Sequence, residues 1–116
     1  MTLRLQLSKT SGFVAGQYCH VRLDLAGRPE PIQRSYSVAS APQPDPFVID
    51  LGIKETPGGL ISPRLVREFG LGSRLEVRVP TGRFTWTGDD REPVLLAGTA
   101  SGVVSLMSMI RFAATS

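Results

Sequence analysis

Arg34-Ser35-Tyr36-Ser37 places a guanidinium two residues from an aromatic ring, with a hydroxyl between them and another after. Side chains alternate along a strand, so Arg34 and Tyr36 share one face while Ser35 and Ser37 share the other. A planar cation forks onto phosphate oxygens, and a flat ring stacks on another flat ring. The tetrapeptide therefore suits a ligand with both a phosphate and a planar ring system. Further along, Gly58-Gly59-Leu60-Ile61-Ser62-Pro63 sets glycines before a helix start, with Ser62 as the expected N-cap and Pro63 at the first helical position. Glycines permit close backbone approach, and free N–H groups with the helix dipole favour an anion. Each segment taken singly also has an ordinary structural reading, as an exposed strand or as a loop with its cap.

The elements that must position these groups are mostly strands. Leu3, Leu5 and Leu7 alternate with Arg4 and Gln6, a period of two. Further strands are expected over Tyr18–Leu25, Gln33–Ser40, Phe47–Lys54 and Leu75–Val79, separated by Pro- and Gly-rich turns. A helix starts at Ser62, shows Leu65, Val66 and Phe69 on one face, and is expected to end near Gly70. Val94-Leu95-Leu96-Ala97 is a continuous apolar run, expected as a strand buried on both faces. Gly98–Gly102 is a turn of small residues, and Val103–Phe112 reads as a helix. Strand, small-residue turn and helix make the opening of a βαβ unit. The expected domains are thus a β-rich unit over 1–92 and an incomplete α/β unit over 93–116.

Taken in order, the motifs resemble the ferredoxin–NADP⁺ reductase superfamily. They are Gly16-Gln17-Tyr18, Arg34-Ser35-Tyr36-Ser37, a strand ending in Lys54, Gly58-Gly59-Leu60-Ile61-Ser62, and Pro80-Thr81-Gly82-Arg83-Phe84. The resemblance runs from about Thr2 to Arg111 and is greatest to FAD-binding oxidoreductases without an iron–sulfur domain in the same chain. It implies a six-stranded antiparallel flavin-binding barrel of Greek-key type with one capping helix. By the same resemblance, Arg34 binds the FAD phosphate, Tyr36 stacks on the isoalloxazine and Ser37 approaches its redox-active N5 edge. Tyr36 and Ser37 are thereby the residues nearest the chemistry. Val38 and Lys54 lie in segments that line the cofactor, and Gly59, Leu60, Ile61 and Ser62 hydrogen-bond the pyrophosphate.

The tail resembles the start of the same family's pyridine-nucleotide domain, with two departures. Thr99-Ala100 stands where glycines are usual, and Ser105 stands where proline is usual. A Cβ at a close-approach glycine obstructs a phosphate or a positive φ. Gly98, Thr99, Ser101 and Gly102 are therefore expected to form a degraded nucleotide motif, and NAD(P)H a donor at the level of the family rather than of this chain alone. Val103, Leu106, Met107 and Ile110 share a helical spacing, with further apolar residues elsewhere through Phe112. That helix is expected to dock on the barrel, to self-associate, or to promote aggregation.

Composition removes several function classes. The 116 residues include a single cysteine, which excludes an internal disulfide and a cysteine-ligated cluster. The net charge of +3 is carried by dispersed residues rather than by a basic stripe, so nucleic acid is not an expected partner. No apolar run approaches the ~18 residues of a membrane span, and the start does not resemble a secretory leader. A cytoplasmic setting is the simplest expectation. His20 and Cys19 read as structural strand residues, Trp86 as near the cofactor or capping the barrel, and Asp89, Asp90 and Glu92 as a solvated loop with no metal-ligand pattern. The chain is thus expected to be the FAD-binding domain of an NAD(P)H-dependent electron-transfer oxidoreductase, passing electrons to a separate redox protein. The alternative is a non-catalytic flavin-binding or remnant domain truncated from a longer reductase.

Overall fold

The alternation of leucines organises the first sheet. In a computed structural model that describes residues 1–9, 12–42, 47–78, 80–88, 95–98 and 102–114, β1 (Thr2–Gln6) turns Leu3 and Leu5 inward and leaves Thr2, Arg4 and Gln6 exposed. It pairs antiparallel with β4 (Val48–Gly52), with Leu3 opposite Leu51 and Arg4 opposite Asp50. Arg4 grips the Asp50 carboxylate with Nε at 2.8 Å and Nη2 at 3.1 Å. Opposite charges facing each other across a pair help hold its register.

The second sheet is centred on β2 (Tyr18–Leu23), flanked by β3 (Ile32–Ser37) and the short β5 (Glu76–Val77), all antiparallel. The two sheets meet where the chain runs on beyond β3. Val38 bridges to Leu51, and the Ala39 N–H donates to the Asp50 carbonyl at 2.7 Å. Cys19, Val21, Val38, Ile49, Leu51 and Ile53 fill the space between the sheets, closed below by Ile61 and Leu65 of the helical segment. Each such side chain contributes about 1.5–3 kcal/mol by leaving water, so this cluster is the main source of stability.

Among the described residues the fold is mainly β, with five strands in two antiparallel sheets and two helices, α1 (Ser62–Arg67) and α2 (Val103–Ala114). The segment expected to complete a barrel contributes isolated bridges, Thr81 to Tyr18 and Trp86 to Ala15. Pro80 lacks a ladder N–H and Gly82 adopts φ +122°, so pairing there is interrupted.

Three local expectations are corrected. Ser62 is not the N-cap; it is the first residue of α1, Ile61 holds the cap position, and the Ser62 hydroxyl accepts the Thr56 N–H at 2.8 Å. That loop bond takes the hydroxyl away from the helix end. The helix ends at Arg67 rather than near Gly70, whose N–H donates instead to Ser73 Oγ. In the expected buried strand, Val94 lies outside the described residues, while Leu95 is 91% exposed and Leu95–Gly98 adopts no strand. No described strand pairs with it, so its apolar side chains have no sheet to enter.

α2 docks against the sheets, on a different face from the one its most apolar spacing suggests. Leu106, Ser108 and Met109 are buried, while Val103 and Ile110 are exposed. Ala15, Trp86, Leu96 and Phe112 complete this second cluster, with the Trp86 and Phe112 rings edge to face at 6.1 Å. Serine is tolerated at the interface because Ser108 donates to the Ser40 carbonyl at 2.6 Å.

Candidate functional site

A cleft of about 750 Å³ opens beside β3, which lies at the edge of its sheet. Its size falls within the ~300–1,000 Å³ typical of small-molecule and cofactor sites. One wall is Ser35, Tyr36 and Ser37; another is Ile53, Lys54 and Thr56, which follow β4. The third is the face of α2 that carries Val104, Met107 and Arg111, with Gly102 at its start. Two cationic side chains, Lys54 and Arg111, line the cleft, and no described lining residue is acidic.

Tyr36 packs against the core and shows part of its ring to the cleft. Burial pushes its phenol above the usual range, and the positive charge of Arg34 partly offsets this. The ring is therefore neutral and apolar around pH 7, as a stacking surface requires. Ser35 is paired with His20, Oγ to Nδ1 at 2.9 Å, while the His20 ring meets the Tyr18 ring edge-on at 5.4 Å. Ser37 accepts a hydrogen bond from Ser105 of α2 at 3.2 Å, so the tail reaches the first wall directly. Arg111 donates to the Ala39 carbonyl at 2.8 Å.

The candidate residues separate into two groups. Tyr36, Ser37 and Lys54 line this cleft, and Gly102 joins them from the tail. Arg34 is exposed beside it, its guanidinium donating to the Gln33 carbonyl at 2.9 Å. Val38 and Ile61 are core residues, so only their backbones could face a ligand. Gly59, Leu60 and Ser62 belong to the turn into α1, where the Gly59 N–H donates to the Thr56 carbonyl at 2.8 Å. Glycine is needed there by the turn itself, since a Cβ would lie 2.9 Å from that carbonyl oxygen. Gly98 is exposed beside α2, and Thr99 and Ser101 lie outside the described residues, as do Asp89, Asp90 and Glu92.

Two other motifs prove to be joined. The Gln17 side chain accepts the Val14 N–H at 2.9 Å and donates to the Gly82 carbonyl at 3.2 Å, while Tyr18 and Thr81 exchange backbone hydrogen bonds at 2.9 Å each. The Gly16-Gln17-Tyr18 turn and the Pro80–Phe84 segment thus brace one corner of the fold. Cys19 is fully buried in the core, with its thiol pushed up to about 11 by burial, so it is not an active thiolate. Trp86 belongs to the second hydrophobic cluster and does not line the cleft.

Arg111 and Thr56 are among the lining residues that motif reading passes over. Val104, Met107 and Arg111 recur at i, i+3 and i+7, which places them on one helical stripe. That signal is present in the sequence but mixes a charge with apolar positions.

The donor set suits a flavin nucleotide: a neutral ring for stacking, hydroxyls from Ser35, Ser37 and Thr56 for a heterocycle edge, and two cations for phosphate. Residues 1–86 match a family described as oxidoreductase FAD-binding domain. The chain is 33% identical over 100 residues to a glycine betaine monooxygenase reductase subunit of Pseudomonas aeruginosa, covering 86% of this chain and 26% of that protein. It is 31% identical over 110 residues to a terephthalate 1,2-dioxygenase reductase component of Comamonas, covering 95% and 31%. The FAD/NAD-binding domain of a nitric oxide dioxygenase from Vibrio cholerae shares the fold with a TM-score of 0.84 at 20% identity, covering 98% of this chain and 50% of that one. The chain thus spans about a quarter to a third of the length of the curated relatives it matches. With the family's motifs in order and its fold in place, the chain belongs to the ferredoxin-reductase-type oxidoreductase FAD-binding domains.

Proposed function

We propose that FAD seats with its ring system in the cleft beside β3 and that the whole protein is an NAD(P)H-dependent electron-transfer oxidoreductase. The observation that carries the reading is the convergence of Tyr36, Ser37 and Lys54 on one cleft of cofactor size. Tyr36 offers the stacking face and Ser37 a hydroxyl at the ring edge. Arg34, exposed at the same strand, is assigned to phosphate, together with the backbone of Gly59–Ser62; Val38 would support the site from beneath. The cofactor supplies the hydride and electron chemistry, while these residues bind it, orient it and keep its ring partly out of water.

The architecture we assign to the FAD-binding unit is the six-stranded barrel over 1–92, with residues 80–86 as its irregular last strand. Residues 93–116 are assigned to the start of the pyridine-nucleotide unit. A separate redox protein is the proposed electron acceptor, by analogy with the reductase components to which the chain is similar. No helix among the described residues is long and apolar enough to cross a membrane. Self-association through the exposed Val103 and Ile110 of α2 belongs to the same proposal.

Titrating the purified protein with FAD tests the site. Binding should quench flavin fluorescence and shift its absorbance, and Tyr36→Ala should weaken both effects. Unaltered flavin spectra at saturating protein would overturn the reading. Reduction of bound flavin by NAD(P)H then separates a reductase from a non-catalytic flavin carrier.

A further inference from the structure

The chain leaving β3 divides its hydrogen-bonding groups between the sheets and the tail helix. Its donors go to the sheets: the Val38 N–H to the Gln17 carbonyl at 3.1 Å and the Ala39 N–H to the Asp50 carbonyl at 2.7 Å. Its acceptors go to α2. Ser105 donates to Ser37 Oγ at 3.2 Å, Ser108 to the Ser40 carbonyl at 2.6 Å, and Arg111 Nη1 to the Ala39 carbonyl at 2.8 Å. These donors recur every three residues, so they lie along one side of the helix. Apolar packing is non-directional, whereas three directional bonds to one short segment fix both the rotation and the height of α2. That rotation decides what the cleft meets, since Val104 and Met107 form part of one wall and Ser37 part of another. Ser105 and Ser108 do not line the cleft themselves, and Ser108 is fully buried. Their bearing on a ligand is indirect.

We propose that Ser105, Ser108 and Arg111 are positioning residues: they set the register of α2 on residues 37–40 and thereby shape the cleft. For its ligand this rests on the proposed flavin reading, which it deepens by making the tail helix, outside the matched residues 1–86, part of the binding unit. Ring binding and docking of α2 are then linked. The docked helix completes the wall that the ring meets, and by reciprocity the bound ring tightens the docking. Ser105 is also one of the departures from the tail motif, and proline in its place would bring no hydroxyl to Ser37.

Ser108→Ala is the discriminating variant, because Ser108 reaches no ligand and alanine fills nearly the same space. Without flavin, amide exchange at Val38 and Ala39 should rise about two- to tenfold relative to the amides of β1, since one net hydrogen bond is lost. Those two amides bond to the sheets and not to α2, so they report the segment itself. With FAD added, affinity should fall about two- to fivefold. The visible circular dichroism of the bound flavin should change as its wall shifts. Gly27→Ala controls for lost stability, its turn having open space around it, and should leave the flavin spectrum as in the wild type. Unchanged exchange at Val38 and Ala39 overturns the proposal. So does a flavin spectrum identical in Ser108→Ala and wild type, or one that Gly27→Ala alters equally. If exchange rises as expected but the wild-type chain binds no flavin, the flavin reading falls and the positioning of residues 37–40 stands. Should Ser108→Ala fail to fold, Ser105→Ala, at a half-buried position, is read by the same amides and the same spectrum.

Discussion

Val104 of α2 sits directly on Gly52 at the end of β4, so closely that a Cβ on Gly52 would lie 2.5 Å from Val104 Cγ1 and 2.7 Å from Cγ2. A valine in a helix has one strongly preferred rotamer and cannot swing aside cheaply. Gly52→Ala should therefore push α2 off the sheets, at a cost of about 1–3 kcal/mol for overpacking. Amide exchange across residues 103–114 should rise well before global unfolding. If Gly52→Ala leaves that exchange unchanged, α2 is not seated on Gly52 in solution.

Gly16 meets a harder limit. It adopts φ +108°, and a Cβ there would run into the Phe84 carbonyl oxygen and lie 2.8 Å from Met109 Cε. Gly27 has φ +82° but open space around it, so it isolates the backbone cost from the steric one. Gly27→Ala should cost about 1–2 kcal/mol, whereas Gly16→Ala should cost more than about 3 kcal/mol through strain and collision together. Equal losses in denaturant midpoint would show that Phe84 and Met109 do not approach this turn.

The strands and the cofactor-binding class were legible because each has a local signal. Leu3 and Leu5 alternate with polar residues, and Arg34-Ser35-Tyr36-Ser37 carries its chemistry in four adjacent positions. The helix interface was not. Hydrophobicity alone points to Val103 and Ile110, but the buried positions include Ser108, whose hydroxyl is satisfied by the Ser40 carbonyl 68 residues away. A buried serine is recognisable only through its distant partner. The same holds for Ser62, diverted from capping by the N–H of Thr56, and for Arg111, whose place in the cleft depends on how α2 docks.

Cys19 sets an alkaline limit on stability. Burial holds its thiol near 11 in the folded chain, against 9.0 for an ordinary thiol. Between those values the unfolded chain has lost the proton that the folded chain keeps, so the unfolded state binds fewer protons and stability falls as pH rises. The contribution is fully present below pH 9 and is lost progressively towards pH 11. Urea midpoints of the wild type should drop across this window more steeply than those of Cys19→Ala, in which the thiol is gone. Parallel pH profiles for the two proteins would mean that Cys19 is accessible to water. A thiol reagent offers a second measure, since labelling should track unfolding.

Tyr36 and Ser37 share the cleft wall but should fail differently. Tyr36 supplies ring surface, and its loss should weaken FAD by about 0.5–1.5 kcal/mol, the worth of an aromatic pair beyond simple burial. Bound flavin in Tyr36→Ala should also be more fluorescent and more open to collisional quenchers, because the stacked face is lost. Ser37 supplies a hydroxyl that already accepts from Ser105 Oγ, which leaves its own proton free to donate into the cleft. Ser37→Ala should therefore hardly change flavin affinity, yet it should alter the flavin reduction potential, since a donor at the ring edge favours whichever redox state carries more negative charge there. Ser105→Ala frees Ser37 to turn its proton elsewhere and should shift the potential in the same direction by a smaller amount. If Ser37→Ala loses affinity as Tyr36→Ala does and leaves the potential unchanged, the ring edge lies away from β3 and the proposed orientation of the flavin is reversed.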